Sequence, residues 1–184
     1  NYDARRAEQA ALRQQGIYRG IGFATVIELT NPSAAFYGVG GARIASQDGA
    51  TARLDPEGDV TVLIGVGEQG QGTEGIYRQI AADAVGVDIQ KVKIVTGDTD
   101  TTPYGGGTWA SRGAGIGGEA VLLAGQALRE NIVKVAATIL KRDGATLAVR
   151  RDRIVDAATG EELLPLKELG RIAYFRSDTL PADF

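Results

Sequence analysis

The sequence predicts an α+β (mixed α/β) fold in which a mixed sheet packs against two long helices. Two observations predict it. After a short leading helix, the apolar patterns follow in the order β-β-β-loop-α-β-loop-α-β-β-α. In addition, two glycine-dense loops, residues 65–75 and 105–118, each lead into a long stretch with helical spacing.

The first elements are predicted from short periodic stretches. Four apolar residues recur at helical spacing before Gly16, which predicts an amphipathic helix over residues 3–15. Alternating β-rich residues predict strands over residues 17–30, 42–54 and 59–66. A loop over residues 31–41 separates the first two strands, and the proline and glycine of residues 55–58 form a tight turn before the third.

The later elements follow the glycine loops. Thr73 is predicted to cap a helix over residues 73–85, whose buried stripe comprises Ile76, Ile80, Ala81 and Ala84. A strand over residues 92–96 precedes the longest helix, residues 119–142. Its apolar face comprises Val121, Leu128, Ile132, Val135 and Ile139. A hairpin over residues 146–150 and 153–155 and a helix over residues 165–174 complete the order.

The chain of 184 residues, 43% of them hydrophobic, is long enough for one core with appendages. We expect a leading helix and linker over residues 1–16, a core over residues 17–142, and a hairpin with its helix over residues 143–184. The chain contains no methionine, even at position 1, so we expect an excised domain or a processed product.

The composition excludes several function classes. The net charge of −3 provides no basic surface for nucleic acid, and no stretch reaches the length of a membrane span or resembles a signal peptide. The absence of both cysteine and histidine excludes the usual zinc sites, cysteine-bound iron–sulfur clusters, cysteine nucleophiles and Ser-His-Asp triads. A chain without cysteine is compatible with a reducing compartment, so a cytoplasmic location is expected, with the periplasm as the alternative.

Without any family in mind, the first glycine loop has two interpretations. Gly65, Gly67 and Gly70 follow a predicted strand and precede a helix, as in the dinucleotide fingerprint, and Asp98 lies where a ribose-binding acid would stand. The glycines could equally serve bulges and close helix–strand packing. A Rossmann-like oxidoreductase domain and a non-catalytic folded fragment therefore both stay open, while the Walker pattern is absent.

Longer stretches of the chain resemble a known family. QGQGT at residues 69–73 with QIAAD at residues 79–83, and VKIVTGDTDTTPYGGGTWASR at residues 92–112, resemble the molybdenum hydroxylases. This is the xanthine dehydrogenase, aldehyde oxidase and carbon monoxide dehydrogenase family, in its molybdopterin-binding large subunit. The likeness continues through GGEAVLLAGQALRENIVKVAATIL and, more weakly, through TLAVRRDRIVDAATGEELLPLKEL. GDTDTTPYGGGTWASR is most similar to bacterial members that carry molybdopterin cytosine dinucleotide.

The resemblance implies a molybdenum-cofactor-binding domain whose core, residues 17–142, binds molybdopterin. It implies an enzyme that oxidatively hydroxylates an aldehyde or N-heterocycle-type carbon with water-derived oxygen. Its partners would be the rest of the large subunit, a small-molecule substrate, and iron–sulfur and flavin (FAD) groups on other subunits or domains. The family's GFGGK and FRGFG loops have no counterpart here, so this chain alone is expected to be inactive.

The resemblance assigns no catalytic or metal-binding residue to this chain. Gly65-Val66-Gly67-Glu68 imitates the family's Gly-x-Gly-Glu base motif but stands in the wrong place, so Glu68 is interpreted as a loop residue that makes a hydrogen bond. Asp98 and Asp100 could ligate a metal, but a Gly-Asp-Thr-Asp-Thr turn uses such side chains structurally, which we favour.

The cofactor-binding residues implied by the resemblance lie in both loops. They are Gln69, Gly70, Gln71, Gly72, Thr73, Thr108, Trp109, Ala110, Ser111, Arg112 and Gly113. The glycines would free their amides for acceptor atoms, and Gln71 would bond a pterin edge. Ser111 and Arg112 would hold a phosphate, and a surface or interdomain salt bridge is the alternative for Arg112. A glycine-flanked loop is not expected to bury a guanidinium, so loss of the Arg112 side chain is expected to cost less than about 0.5 kcal/mol of stability. Trp109 could wall the nucleotide site or anchor the core. Since both loops must reach one cofactor, we expect them side by side at helix N-termini.

Overall fold

The computed structural model describes residues 1–37, 41 and 43–181. The helices are α1 (Tyr2–Arg13), α2 (Ala34–Tyr37), α3 (Thr73–Val85), α4 (Gly118–Leu140) and α5 (Leu166–Phe175). The strands are β1 (Ala50–Leu54), β2 (Val60–Ile64), β3 (Val92–Val95), β4 (Leu147–Arg150), β5 (Arg153–Asp156) and β6 (Glu162–Pro165). Within these described ranges, helices combine with two small sheets, so the α+β prediction is confirmed.

The strands form two three-stranded sheets. In the first, β2 is central, antiparallel to β1 and parallel to β3. The parallel pair is connected through α3, because parallel strands need a crossover between them. The second sheet, β4-β5-β6, is antiparallel throughout.

One hydrophobic cluster joins both sheets to the helices. Val60, Val62 and Ile64 of β2 are fully buried, and the same cluster includes Val149 of β4 and Leu166 of α5. Helices α3 and α4 pack closely against each other. A Cβ atom on Gly125 of α4 would lie 2.7 Å from the Cβ of Ala84, so only glycine allows this approach of the two helices.

Most predicted elements are confirmed, with shifted ends. The predicted helix over residues 3–15 corresponds to α1, the long helix over residues 119–142 to α4, and the hairpin to β4 and β5. The sequence reading missed β6, and it missed the short α2 inside the predicted loop over residues 31–41. Residues 38–40 of that loop lie outside the described ones.

Two strand predictions are wrong. Residues 17–30 contain no strand, and of the stretch 42–54 only Ala50–Leu54 is one, with residue 42 outside the described range. A β-strand is stable only where a neighbouring strand satisfies its N–H and C=O groups. Among the described strands, none pairs with residues 17–30, which have no regular secondary structure and are exposed.

Two details of α3 also differ from prediction. Its N-cap is Gly72, with φ of 84°, and Thr73 is the first helical residue rather than the cap. Ile76, placed in the buried stripe by sequence, is 40% exposed, whereas Tyr77 is fully buried. Tyr77 therefore takes the buried place predicted for Ile76, while Ala81 and Ala84 are buried as predicted, and Ile76 lies at the cleft described below.

A cleft between the two glycine loops

The two glycine loops enclose a cleft of about 400 Å³. The first glycine loop comprises residues 65–75 and the second residues 105–118. Eight of the eleven predicted site residues line the cleft: Gln69, Gln71, Thr73, Thr108, Trp109, Ala110, Ser111 and Gly113. Ile76 and Ala114, which the sequence did not suggest, complete the lining.

Hydrogen bonds join the two loops directly. The hydroxyl of Thr108 donates to the backbone oxygen of Gly67 at 2.6 Å. The amide Nε2 of Gln69 donates to the backbone oxygen of Thr108 at 3.3 Å. The first loop ends at the N-terminus of α3, and the second passes through a π-turn at Gly113–Gly117 into α4. The expectation that the loops lie side by side at helix N-termini is confirmed.

In the first glycine loop, the backbone amides point at a side chain of the protein itself. The carboxylate of Glu68 accepts from the amides of Gly70 at 2.7 Å and Gly72 at 3.1 Å. The expectation that these glycines leave their amides free is therefore wrong in this structure. Hydrogen bonds from the amides of Glu74, Gly72 and Gly70 hold the pKa of the Glu68 carboxyl below its usual value.

Gln71 and Thr73 meet within the same loop. The Nε2 group of Gln71 donates to the hydroxyl of Thr73, and the Oε1 atom of Gln71 accepts from the amide of Gln69 at 2.6 Å. Thr73 is buried while Gln71 is exposed. The Nε2 group of Gln71 also donates to the backbone oxygen of Gly67 at 3.4 Å. The carboxamide is thereby held in one orientation at the cleft, with both of its N–H groups engaged and one acceptor position of Oε1 left for a ligand.

Arg112 does not face the cleft. Its side chain is fully buried and pairs with the equally buried Asp48, with 2.8 Å between Nη1 and Oδ2. Its Nε donates to the hydroxyl of Tyr37 at 3.1 Å and its Nη1 to the backbone oxygen of Gly107 at 2.8 Å. The expectation that this glycine-flanked loop cannot bury a guanidinium is wrong, because Asp48, far earlier in the chain, supplies a buried carboxylate beside it.

The glycines of the second loop make room for this ion pair. A Cβ atom on Gly106 would lie 2.5 Å from Nη1 of Arg112. The amide of Gly106 also donates to Oδ1 of Asp48 at 3.1 Å. Burial raises the pKa of the Asp48 carboxyl, and the neighbouring guanidinium opposes that rise. Nη2 of Arg112 is buried without a hydrogen-bond partner.

Trp109 lies between the cleft and two neighbouring aromatic rings. It lines the cleft, and its ring lies 5.6 Å from the ring of Phe36 and 5.7 Å from that of Tyr37. Its Nε1 donates to the backbone oxygen of Gly106 at 3.0 Å. The indole therefore braces the second loop from one side while it forms a wall of the cleft.

Ala110 and Ser111 carry backbone strain at the base of the cleft. Their φ angles are 46° and 51°, in the left-handed region that residues with a Cβ rarely occupy. The hydroxyl of Ser111 donates to Oε1 of Glu28 at 2.8 Å. This bond ties the exposed segment 17–30 to the second loop.

Sequence reasoning missed Asp48, Tyr37, Glu28 and Tyr77, all of which support the second loop. The hydroxyl of Tyr77 donates to the backbone oxygen of Gly113 at 3.0 Å, and burial raises its pKa. The run of three glycines at residues 105–107 is the one signal that could have pointed to a bulky group packed against the backbone.

The electrostatic character of the cleft follows from its lining. None of the described residues that line it is a lysine or arginine. An anion in this cleft would therefore be held by backbone amides, hydroxyls and carboxamides. In the chain's described ranges, no cluster of three or more Asp or Glu side chains could hold a metal ion. Asp98 instead accepts from the amide of Asp100 at 3.0 Å, as in the structural turn we favoured.

Gly65 packs against the backbone before the second glycine loop, since a Cβ there would lie 2.6 Å from the backbone oxygen of Pro103. This supports the packing interpretation of that glycine over the dinucleotide fingerprint. None of the helices in the described part of the chain combines the length and apolar character that a membrane crossing requires.

Comparisons with known proteins agree on one family. The family model described as molybdopterin cofactor-binding domain matches residues 1–183. The chain is 29% identical over 184 residues to the nicotine 6-hydroxylase large subunit of Paenarthrobacter nicotinovorans, covering 100% of this chain and 22% of that protein. It is 31% identical over 180 residues to the xanthine dehydrogenase molybdenum-binding subunit of Escherichia coli O157:H7, covering 96% and 23%.

A solved structure extends the likeness to three dimensions. Quinoline 2-oxidoreductase from Pseudomonas putida 86 matches with a TM-score of 0.75 and 34% identity, covering 100% of this chain and 23% of that one. The chain thus spans less than a quarter of the length of these relatives. The comparisons do not favour the Rossmann-like alternative.

Proposed function

This chain belongs to the molybdopterin cofactor-binding domain family, and from that premise we propose that it forms one wall of the cofactor site in a molybdenum hydroxylase large subunit. The observation that carries the proposal is the cleft in which two hydrogen-bonded glycine loops bring eight predicted residues together. The pterin would lie between the loops and bond their carboxamides and hydroxyls.

The residues of the cleft fit such a group. A pterin edge carries neighbouring donors and acceptors, which matches the fixed carboxamides of Gln69 and Gln71. Thr108 and Ser111 stand on the opposite loop, where backbone amides would meet a phosphate, because the two hydroxyls already donate to Gly67 and Glu28. The cytosine dinucleotide form of the cofactor is part of this proposal, with Trp109 as a flat surface for the base.

Arg112 takes a different role from a direct phosphate ligand. Its guanidinium is bound through Nη1 and Nε by Asp48, Tyr37 and Gly107. We propose that it holds the backbone of residues 108–113 in the shape that faces the cofactor. Gly70 and Gly72 likewise shape the first loop, and their amides bond Glu68 rather than the ligand.

When bound, the cofactor's molybdenum would supply the oxidative hydroxylation of an aldehyde or N-heterocycle-type carbon with oxygen derived from water. The residues of this chain bind and orient the group and shield it from solvent on one side. No catalytic residue is assigned here, so the 184-residue chain alone is expected to be inactive. Iron–sulfur and flavin groups would be held by other subunits or domains, and the complete enzyme would be cytoplasmic or periplasmic.

An exposed apolar segment indicates where the rest of the large subunit attaches. Seven large apolar side chains between residues 17 and 29 are at least 40% exposed, and those of Phe23 and Val26 reach 79% and 82%. Contiguous apolar surface of this kind marks an interface. Because the relatives are more than four times longer than their matched part, we propose that the remaining large-subunit polypeptide covers this segment as an added strand.

The proposal is tested on the full-length polypeptide that contains this chain. Pterin and cytidine nucleotide are released from the purified protein and counted per subunit. Gln71→Ala should lower both contents, since it removes the acceptor held at the cleft and the contacts that orient the first glycine loop. Gln79→Ala is the matched control, because Gln79 lies on the exposed surface of α3 outside the cleft lining. Absence of pterin from the unaltered protein, or equal contents in both variants, would contradict the proposal.

A further inference from the structure

The first glycine loop closes around one acidic side chain, Glu68. Its Oε1 atom accepts from the amides of Gln69 at 3.1 Å, Gly70 at 2.7 Å and Gly72 at 3.1 Å. Its Oε2 atom accepts from the amide of Glu74 at 3.1 Å. Four backbone donors of the loop and the first turn of α3 therefore meet a single carboxylate of the same chain, and the Gln69 amide is shared with Oε1 of Gln71.

These donors are the groups that usually bind a ligand anion at a helix N-terminus. The left-handed conformations of Gly70 and Gly72, with φ of 96° and 84°, turn successive amides toward one point. A ring of amides of this kind binds phosphate or carboxylate equally well by geometry, since both offer oxygen acceptors with negative charge. Here the occupant is Glu68.

We propose that Glu68 is an internal anion that fills the N-terminus of α3 in place of a ligand phosphate and positions the first glycine loop. With the amides engaged, the loop presents its side chains to the cleft, above all Gln69 and Gln71. The inference concerns Glu68 and the amide ring only, and it holds whether or not the cleft binds molybdopterin. For any phosphate-bearing ligand, it directs the phosphate to the second glycine loop.

The chemical environment keeps this side chain charged. The amide hydrogen bonds lower the pKa of the Glu68 carboxyl, with the amide of Glu74 as the largest cause. The positive end of the α3 dipole acts in the same direction. The anion is therefore present over the whole range of pH near neutrality.

The experiment uses the ¹⁵N-labelled 184-residue chain and follows the amide signals of Gly70 and Gly72 by NMR. Inorganic phosphate and, in a separate series, acetate are titrated at constant ionic strength into the unaltered chain, Glu68→Ala and Glu74→Ala. In the unaltered chain, phosphate should cause no saturable shift of these signals. In Glu68→Ala the vacated ring should bind acetate, which replaces the lost carboxylate, with saturable shifts of both signals. Glu74→Ala, which leaves the Glu68 carboxylate in place, should behave like the unaltered chain.

Two results would overturn the proposal. The first is saturable binding of phosphate to these amides in the unaltered chain, which would make the ring a ligand site. The second is a Glu68→Ala variant that folds yet binds neither acetate nor phosphate there. If that variant does not fold, the unaltered chain still decides, because its Gly70 and Gly72 signals should titrate below pH 4.5, the usual pKa of glutamate. Titration at or above that pH would contradict the inference.

Discussion

Removal of the buried arginine beneath the second glycine loop should destabilise the whole fold. Arg112→Ala leaves the fully buried Asp48 carboxylate without its partner. Breaking a buried ion pair in this way costs about 3–5 kcal/mol. For a chain of this size each kcal/mol corresponds to roughly 2–4 °C, so the melting temperature should fall by roughly 6–20 °C. The measurement is thermal unfolding, monitored by circular dichroism.

The sequence alone gave the opposite expectation, a loss of less than about 0.5 kcal/mol, because the loop carries little apolar surface. The matched control is Arg78→Ala, which removes an exposed arginine from α3 and should stay within about 0.5 kcal/mol of the unaltered protein. Asp48→Ala should cost about as much as Arg112→Ala, and the double variant should cost less than the sum, since neither charge is then left alone. Equal melting of Arg112→Ala and Arg78→Ala would refute this reasoning.

Three other expectations follow from single contacts. Thr108→Val should lower both the stability, by about 1 kcal/mol, and the pterin content of the full-length protein, because it removes the hydroxyl that joins the loops; an unchanged melt would count against this link. Glu68 has a lowered pKa in the fold, so its stabilisation is present above pH 4.5 and is lost as the pH falls through the folded pKa. Glu68→Gln should therefore flatten the acid side of the stability profile, and an unchanged profile would contradict the assignment. Gly125→Ala should destabilise by about 1–3 kcal/mol through its clash with Ala84, whereas Gly75→Ala, with open space at its Cβ, should be neutral or stabilising.

The elements that were predictable from sequence are those set by local periodicity. Helices α3 and α4 follow from apolar residues at helical spacing, and β2 follows from its alternation between sheet faces. The stretch 17–30 has an equally good β pattern but no described strand beside it. A strand depends on its partner as much as on its own residues, so a pattern alone could not decide this element.

The positions of the site residues were predictable from the sequence, but the contacts of some of their side chains were not. The resemblance located the two loops, and eight of their residues line one cleft. It could not reveal that Arg112 points inward, because that orientation depends on Asp48 and Tyr37, which precede it by a long stretch of chain. The expectation of free glycine amides failed for a related reason. Glu68 makes a hydrogen bond within the loop, as the sequence indicated, but the sequence did not reveal that its donors are the amides of Gly70 and Gly72.

Each glycine loop is held in shape by one charged side chain, an anion in the first loop and a cation in the second. A loop that must hold a strained shape needs fixed contacts for its backbone amides and carbonyls. The first loop wraps its amides around a carboxylate, Glu68, while the second directs the carbonyl of Gly107 onto the guanidinium of Arg112. Both charged side chains bond to the backbone of their own loop and do not line the cleft. The described residues that line the cleft therefore include no cation. A ligand in this cleft would therefore be selected by shape and by neutral hydrogen-bonding groups that are already in position, which would reduce the ordering that binding requires.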